Sequence, residues 1–246
     1  VDALPLKRAA ELGIEVHNTP ESIAESVAEH AVSLLFAMAH TIVEGDRNVR
    51  RGKWFDGLNY MRWHLTGRTL GLVGYGRIAR HVETMVSGFR MNVIHFDPFS
   101  KDSVPLDELL ADSDFVSLHC PLTEQTRHLI CRETIAQMKD GVYLLNTSRG
   151  MLIESQALLD ALQQKKIAGA GLDVYEEETD CFFEDCSEQL QRDTVLSLLL
   201  SMPNVILTSH QAFLTTEALR NIAEVTFQNL DAFFAGAPLQ NQIPEG

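Results

Sequence analysis

The sequence predicts an α/β protein built around a doubly wound parallel sheet. Three observations predict this fold class: short apolar runs alternate with helical patterns, Val, Ile and Leu fill consecutive positions of these runs, and no internal repeat is visible. Continuous apolar runs are typical of strands that are buried on both faces, and a helix after each strand allows parallel pairing. The 246 residues suffice for one large domain, or for one domain and part of a second.

The predicted elements follow one another along the chain. The first is a long helix over residues 23–43, in which apolar residues recur at steps of three and four. Strands are predicted within residues 68–76, 91–98, 114–121, 141–150, 167–175 and 203–212. Further helices are predicted within residues 77–89, 105–113, 153–166 and 215–236.

Composition and charge restrict the possible function classes. The net charge of −14 argues against nucleic acid or an anionic membrane as the main partner, although a local cationic pocket stays possible. No apolar stretch reaches the roughly 18 residues that a membrane-spanning helix needs. No secretory signal is visible, so we expect a cytoplasmic protein; the abrupt start of the sequence leaves an upstream targeting segment open.

The cysteines give no indication of a metal site. Cys120, Cys131, Cys181 and Cys186 include no CxxC pair and no spacing typical of zinc ligands. We therefore predict no bound metal and free thiols in a reducing compartment.

Polar residues and glycines follow directly on the predicted strands. In parallel sheets the ligand lies beyond the carboxyl ends of the strands. Residues at that position are Gly74, Asp97, Cys120, Arg149, Asp173 and His210. We expect them to converge on one edge of the sheet.

The first of these sites is a glycine turn. The stretch "LGLVGYGRIA" contains Gly74-x-Gly76-x-x-Ala79 between a predicted strand and a helix, and Asp97 ends the next strand. Gly74 would allow a tight turn, and Gly76 would let backbone amides approach a pyrophosphate at the helix N-terminus. Asp97 would accept hydrogen bonds from ribose hydroxyls and repel a 2′-phosphate, which favours NAD over NADP. Its alternative interpretation is a solvated turn before Pro98.

Three later stretches complete the pattern: "NTSRG" with Arg149, "LDVYEEE" with Asp173 and Glu178, and "TSHQAFLT" with His210. Together with the glycine turn and "HCPLT", they follow the order and spacing of the D-isomer-specific 2-hydroxyacid dehydrogenase family, which the chain resembles over most of its length. The "CFFED" segment and the "HQAFLT" stretch are most similar to its D-lactate dehydrogenase branch.

The resemblance implies catalytic roles for Arg149, Glu178 and His210. Arg149 would clamp the carboxylate of a 2-oxoacid and polarise its keto oxygen, since a guanidinium binds a carboxylate bidentately. His210 would exchange a proton with the substrate oxygen, and Glu178 would hold its other ring nitrogen. Taken alone, Glu178 could equally belong to a solvated acidic run with Glu176 and Glu177, and His210 could be a structural strand-end histidine.

The resemblance also implies the residues that line NAD. Asp173 would be either a nicotinamide-side residue or an orienting residue, and Arg77 could contact the pyrophosphate or form a surface salt bridge. The expected set is Gly74, Gly76, Arg77, Ile78, Asp97, Cys120, Pro121, Thr126, Thr147, Ser148, Arg149 and Asp173. His119 shows no ligand spacing, and we interpret it as structural.

The resemblance further implies a domain division. Residues 17–211 would form a Rossmann-type NAD-binding domain, and residues 1–16 and 212–246 would be remnants of a flavodoxin-like substrate domain whose N-terminal part is missing. We therefore expect NAD binding with weak or absent turnover. The helical pattern near residues 22–43 corresponds to the dimer interface of the family, so we expect a homodimer.

The predicted function is the NAD-dependent interconversion of a 2-oxoacid and a D-2-hydroxy acid, with pyruvate and D-lactate as the favoured pair. Two alternatives stay open at this point. One is a non-enzymatic NAD-sensing scaffold of the corepressor type, because a fold does not settle function. The other is a dehydrogenase for a larger 2-oxoacid.

Overall fold

The computed structural model describes residues 6–20, 23–54, 63–178 and 193–243. The chain divides into two compact units, Val27–Ala212 and Val1–Ser26 with Phe213–Gly246. The domain bounds at residues 17 and 211 stay a prediction. The "CFFED" segment, which begins at Cys181, and the following Cys186 lie outside the described residues.

The larger unit contains a sheet of six parallel strands in the order β2-β1-β3-β4-β5-β6. The strands are β1 (Thr69–Val73), β2 (Asn92–Phe96), β3 (Phe115–Leu118), β4 (Val142–Asn146), β5 (Ile167–Leu172) and β6 (Val205–Leu207). Each lies within a predicted strand, and the parallel α/β fold class is confirmed. Because β2 pairs on one side of β1 and β3 on the other, the winding direction reverses between β1 and β3. Ligands of open parallel sheets bind at such a reversal.

Helices cover both faces of this sheet. They are α2 (Ala24–Ala39), α3 (Ile42–Arg50), α4 (Arg77–Val86), α5 (Leu106–Asp112), α6 (Arg132–Gln137), α7 (Ser155–Gln163) and α8 (Thr194–Ser201). The smaller unit contains the first and last helices of the chain, α1 (Leu6–Glu11) and α9 (Thr216–Ala235). Buried residues of α2 and α4 pack with Leu70 and Leu72 of β1, whereas α5, α6, α7 and α8 pack into a second cluster with Val116 and Leu144. Apolar residues on both faces of the strands supply these two layers.

The predicted long helix over residues 23–43 is in fact two helices. Thr41 adopts φ +49°, a left-handed conformation that a right-handed helix cannot continue, so α2 ends at Ala39 and α3 begins at Ile42. Within the described ranges, none of the helices is by itself long and apolar enough to cross a bilayer. Only α2 and α3 taken together, bent by 59°, meet that requirement of length and composition.

The smaller unit contains α9, which has well-defined ends. The Thr215 hydroxyl accepts a hydrogen bond from the backbone N–H of Ala218 at its start, and Gly236 takes the left-handed conformation, φ +64°, at its end. Ala218 is buried, whereas Phe227 and Phe234 are 66% and 80% exposed. An isolated antiparallel bridge joins His17 to Gln242 in the same unit.

Candidate active site

The last residues of the six strands lie side by side in one continuous row. In register across the sheet they are Phe96, Val73, Leu118, Asn146, Leu172 and Leu207. The residues that follow this row therefore emerge at one edge of the sheet. They include Gly74, Asp97, Cys120, Arg149, Asp173 and His210, all six of which the sequence singles out.

The glycine turn connects β1 to α4, and its two glycines serve different needs. Gly74 has φ +88°, and a Cβ there would lie 2.5 Å from the backbone nitrogen of Cys120. Gly76 has an ordinary φ of −78°, and a Cβ there would meet nothing within 4 Å. Gly74 is thus required by the packing of β1 against the end of β3, whereas Gly76 borders open space at the N-terminus of α4.

Asp97 is anchored to the glycine turn. One carboxylate oxygen, Oδ2, accepts a hydrogen bond from the backbone N–H of Tyr75 at 2.7 Å, and Oδ1 accepts one from that of Phe99 at 2.9 Å. A carboxylate has about four acceptor positions, so Asp97 keeps capacity for two hydroxyl donors. This arrangement presents a fixed acceptor next to the turn.

The residues around the turn fit a dinucleotide. The N-terminus of α4 carries no acidic residue in its first turn, so its N–H groups and positive dipole end favour a pyrophosphate there. Arg77 is exposed at the start of α4, Ile78 is half-buried, and Ala79 is fully buried against the sheet. The open space at Gly76 and the acceptor at Asp97 complete a cradle for an adenosine diphosphate.

The loops after β3 and β4 are tied to each other. The Ser148 hydroxyl donates to the carbonyl of Cys120 at 2.7 Å, and the Thr126 hydroxyl donates to the carbonyl of Pro121 at the same distance. Burial raises the pKa of the Cys120 thiol to about 11, so the thiol is neutral at pH 7. Cys120 and Thr126 therefore shape the wall of the site through backbone hydrogen bonds. Cys120 accepts one at its carbonyl, and the Thr126 hydroxyl holds the carbonyl of Pro121.

Arg149 follows β4 on a braced backbone. Asn146 Nδ2 donates to the Arg149 carbonyl at 2.8 Å, and Arg149 Nη1 donates to the Ser148 carbonyl at 2.8 Å. The Arg149 side chain is exposed, whereas Thr147 is buried. Such bracing fixes where the guanidinium leaves the sheet.

Gly150 explains why a glycine directly follows this arginine. A Cβ at Gly150 would overlap the backbone carbonyl of Tyr175, although φ at Gly150 is not positive. The loop that carries Glu178 thus packs directly against the backbone next to Arg149. Only a residue without a side chain permits this approach.

Glu178 and His210 form a pair. Glu178 Oε1 lies 3.1 Å from His210 Nδ1, and the two side chains expose 23% and 27% of their surface. The other oxygen, Oε2, accepts a hydrogen bond from the backbone N–H of Tyr175 at 3.1 Å. The carboxylate is therefore oriented by its own loop and directed at the imidazole.

His210 has an unusual backbone that Asp173 holds on both sides. His210 has φ +50°, which costs energy in any residue with a side chain. Its N–H donates to the Asp173 carbonyl at 2.7 Å, and the next two N–H groups, of Gln211 and Ala212, donate to the Asp173 carboxylate at 3.0 and 2.9 Å. These contacts support the orienting alternative for Asp173.

The Asp173 carboxylate is fully buried yet charged. Burial alone raises the pKa of Asp173, but the hydrogen bonds from His30, Thr208 and the Ala212 and Gln211 amides outweigh it and hold that pKa below its usual value. The site therefore contains a buried negative charge under the loop of His210.

Sequence reasoning missed the residues that hold the Glu178 loop. Glu176 contacts the ring of His128 and accepts the backbone N–H of Ser155 at 2.9 Å, and the Tyr175 hydroxyl donates to Asp193 at 2.6 Å. The run of three glutamates is visible in the sequence. Nothing in that run distinguishes Glu176, which holds the loop through its contacts, from a glutamate that faces solvent. The partners lie on other loops and elements, so the sequence could not pair them.

Comparison with known proteins identifies the family. A family model described as "D-isomer specific 2-hydroxyacid dehydrogenase, NAD binding domain" matches residues 32–212. The chain belongs to the D-isomer-specific 2-hydroxyacid dehydrogenase family. The matched domain binds NAD, so this chain is an NAD-dependent 2-hydroxyacid dehydrogenase, and the prediction of NAD as cofactor is confirmed.

Individual relatives of this dehydrogenase carry different substrate names. It is 39% identical to the D-lactate dehydrogenase of Escherichia coli over 97% of this chain and 74% of that protein. It is 37% identical to an aromatic 2-oxoacid reductase of Clostridium sporogenes over 98% of this chain and 75% of that protein. The solved structure of a D-lactate dehydrogenase from Treponema pallidum superposes with a TM-score of 0.88 at 35% identity, covering 96% of this chain and 73% of that one.

Proposed function

We propose that this dehydrogenase interconverts pyruvate and D-lactate, with Arg149 as substrate clamp and His210 with Glu178 as the acid–base pair. The observation that carries the proposal is the 3.1 Å contact between Glu178 Oε1 and His210 Nδ1 at the sheet edge that Arg149 also follows. The names of the E. coli and T. pallidum relatives support lactate as the product. The aromatic 2-oxoacid reductase supports a larger 2-oxoacid as the second candidate.

Arg149 binds the substrate carboxylate in this proposal. A guanidinium stays protonated throughout the physiological range and meets a carboxylate with two parallel N–H donors. In a chain of net charge −14, an exposed arginine on a braced loop is a local attraction for an anion. The clamp would orient pyruvate at the sheet edge where NAD would be held, so that the cofactor could supply its hydride chemistry there.

His210 handles the proton. In the direction of reduction, the protonated ring donates from Nε2 to the keto oxygen as negative charge develops there, and in oxidation it takes the proton back. Glu178 at Nδ1 fixes the ring orientation and compensates the charge of the protonated ring. NAD, when bound, supplies the hydride chemistry, and the balanced reaction consumes pyruvate, NADH and one proton.

Four groups of residues would hold the cofactor. The turn at Gly74 and Gly76 would leave room for the pyrophosphate. Arg77 and Ile78, the first two residues of α4, would lie next to it, and Asp97 would accept hydrogen bonds from the ribose hydroxyls. A 2′-phosphate would face the Asp97 carboxylate, so the site favours NAD over NADP. The expected walls are Cys120, Pro121, Thr126, Thr147 and Ser148.

We propose further that the protein is a cytoplasmic homodimer that binds neither nucleic acid nor membrane. Support comes from the net charge of −14 and from α3, on which Ile42 and Val49 are 56% and 44% exposed. Light scattering during size-exclusion chromatography tests the dimer. A mass of one chain at micromolar concentration would contradict it.

The test of the reaction is NADH oxidation with a panel of pyruvate, 2-oxoisocaproate and phenylpyruvate, followed by chiral chromatography of the product. We expect D-lactate from pyruvate at a rate above that of the two larger acids. Long incubations with detection of the product make the assay sensitive to slow turnover. Bound NADH with neither binding of a 2-oxoacid nor any 2-hydroxy acid product would contradict the enzyme and favour the scaffold.

Arg149→Ala separates the two classes further, with Arg132→Ala as the matched control. Arg132 is an exposed arginine on α6 that pairs with Asp160 and is not part of the site. We expect Arg149→Ala to lower turnover by at least about 10²-fold and to leave NADH affinity unchanged. Binding of oxamate, a carboxylate that resembles pyruvate and accepts no hydride, to the NADH complex should be lost in the same variant only.

A further inference from the structure

A second histidine lies beneath the candidate acid–base residue. His30, on α2, exposes only 20% of its side chain. Its Nε2 is 3.0 Å from the Thr208 hydroxyl and 3.4 Å from Asp173 Oδ1. No motif pointed to it, because it stands in a helix whose neighbouring residues Val27, Ala31 and Leu34 are buried and apolar.

Thr208 connects His30 to the same carboxylate by a second route. Its hydroxyl contacts Asp173 Oδ1, and its backbone N–H donates to the Leu172 carbonyl at 2.9 Å. His30, Thr208 and Asp173 thus form a closed triangle of polar groups around a fully buried carboxylate. Polar groups in such surroundings are held in place when every member has its partners.

Asp173 also holds the backbone of His210 and of the two residues that follow it. The carboxylate binds the amides of Gln211 and Ala212, and the Asp173 carbonyl binds the amide of His210. The left-handed residue is therefore fixed from both sides by one aspartate. If this aspartate moves, or if fewer hydrogen bonds compensate its charge, the imidazole that Glu178 orients is displaced.

We propose that His30 is a positioning residue of the reaction: acting through Asp173, it holds the backbone conformation that presents the His210 imidazole to substrate. This inference rests on the proposed role of His210. His30 donates a hydrogen bond to the triangle and has no contact with substrate. A side chain that places an N–H donor at the position of Nε2 should fulfil the same task.

The experiment compares His30→Ala with His30→Gln in the whole chain, with His81→Ala, an exposed histidine of α4, as control. The glutamine amide can reach the position of Nε2 and donate to Asp173, whereas alanine removes the donor. Amide hydrogen exchange of residues 208–213 is measured without substrate, and kcat and the KM values for NADH and pyruvate are measured where turnover is detected.

We expect His30→Ala to accelerate exchange at Gln211 and Ala212 by about tenfold and to lower kcat by about tenfold, the size expected for loss of one hydrogen bond to a charged group. The KM for NADH should not change, and His30→Gln and His81→Ala should resemble the parent chain. A rescue by glutamine separates positioning from packing.

Two outcomes would overturn the inference. In one, His30→Ala leaves both exchange and kcat unchanged. In the other, alanine and glutamine lower the thermal midpoint equally and give the same exchange and the same kcat, which indicates a packing role. Since exchange is measured without substrate, a parent chain that neither binds a 2-oxoacid nor makes product would refute the proposed function, while the exchange result would still decide whether His30 holds the His210 loop.

Discussion

The glycine turn after β1 and the His210 loop after β6 both place a left-handed residue at the same sheet edge, by different means. Gly74, at φ +88°, adopts this conformation without steric cost. His210, at φ +50°, adopts it against a cost of about 1–2 kcal/mol, and Asp173 holds it with three hydrogen bonds.

This difference separates two ways of building a site. On the cofactor side the glycines have no side chain. This leaves open space at Gly76 and allows close packing at Gly74. The proposed acid–base role of His210 requires a side chain at the strained position. The strained conformation is therefore kept, and hydrogen bonds from the loop to the buried Asp173 stabilise it. Strained conformations concentrate where function requires a given side chain in a given place.

The largest expected effect is the loss of His210 itself. His210→Gln should lower kcat/KM by about 10²–10⁴-fold, because the general acid is removed while the loop keeps its hydrogen bonds. Steady-state kinetics with NADH and pyruvate measure it, and the affinity for NADH should stay within twofold, on the order of experimental error. Retained turnover would contradict this comparison, because the reaction would then not require the histidine side chain at the strained position.

The second prediction compares the two glycines. Gly74→Ala should destabilise the fold by about 3 kcal/mol or more, because a Cβ meets the Cys120 backbone and the positive φ is strained. Gly76→Ala should leave the free energy of unfolding nearly unchanged and weaken NADH binding. Urea denaturation and NADH fluorescence titration check the pair. Equal stability of both variants would contradict the separate roles of the two glycines.

The third prediction uses pH to separate the two regions. Burial lowers the pKa of His119, whose backbone packs against Gly74, to about 4, below its unfolded value of 6.5. The unfolded chain therefore binds more protons between pH 6.5 and 4, and this contribution to stability is lost as the pH falls through that window. The expected loss between pH 7.5 and pH 5 is about 2 kcal/mol.

Asp173 should behave differently in the same titration. Because its pKa lies below the unfolded value of 3.8, its contribution is fully present above that value and is lost only at lower pH. His119→Gln, which can still bond the Ser117 hydroxyl, should remove most of the loss measured at pH 5 by urea denaturation. An identical pH profile of variant and parent would contradict a neutral His119 in the folded protein.

The smallest effect isolates the backbone strain. His210→Gly should be more stable than His210→Ala by about 1 kcal/mol, because both remove the imidazole and only glycine tolerates the positive φ. Thermal unfolding of the two variants gives the difference directly. If alanine is as stable as glycine, the left-handed conformation of His210 carries no measurable strain.

Sequence alone predicts the cofactor side better than the acid–base side for a physical reason. The glycine turn is a local pattern, and the strands around it are apolar on both faces, so each can be recognised from neighbouring residues. Asp97 follows at a fixed distance from Gly74 because one helix separates their strands.

The support of His210 is non-local and therefore absent from any short pattern. His30 and Asp173 are far apart in the sequence and meet only because α2 packs beside the ends of β5 and β6. The sequence pattern did not predict the helix break at Thr41 or the short helices α6 and α8. A segment of a few residues is too short to show the helical period.

We propose that a guanidinium, an imidazole and a carboxylate from three loops, those of Arg149, His210 and Glu178, meet over the nicotinamide ring when NAD is bound. A crystal structure of this chain with NADH and oxamate tests it most directly. We expect the oxamate carboxylate on Arg149 and its amide carbonyl oxygen within hydrogen-bond reach, about 3 Å, of His210 Nε2, with Glu178 still at Nδ1. Oxamate bound away from Arg149, or an imidazole turned away from the nicotinamide, would contradict the account.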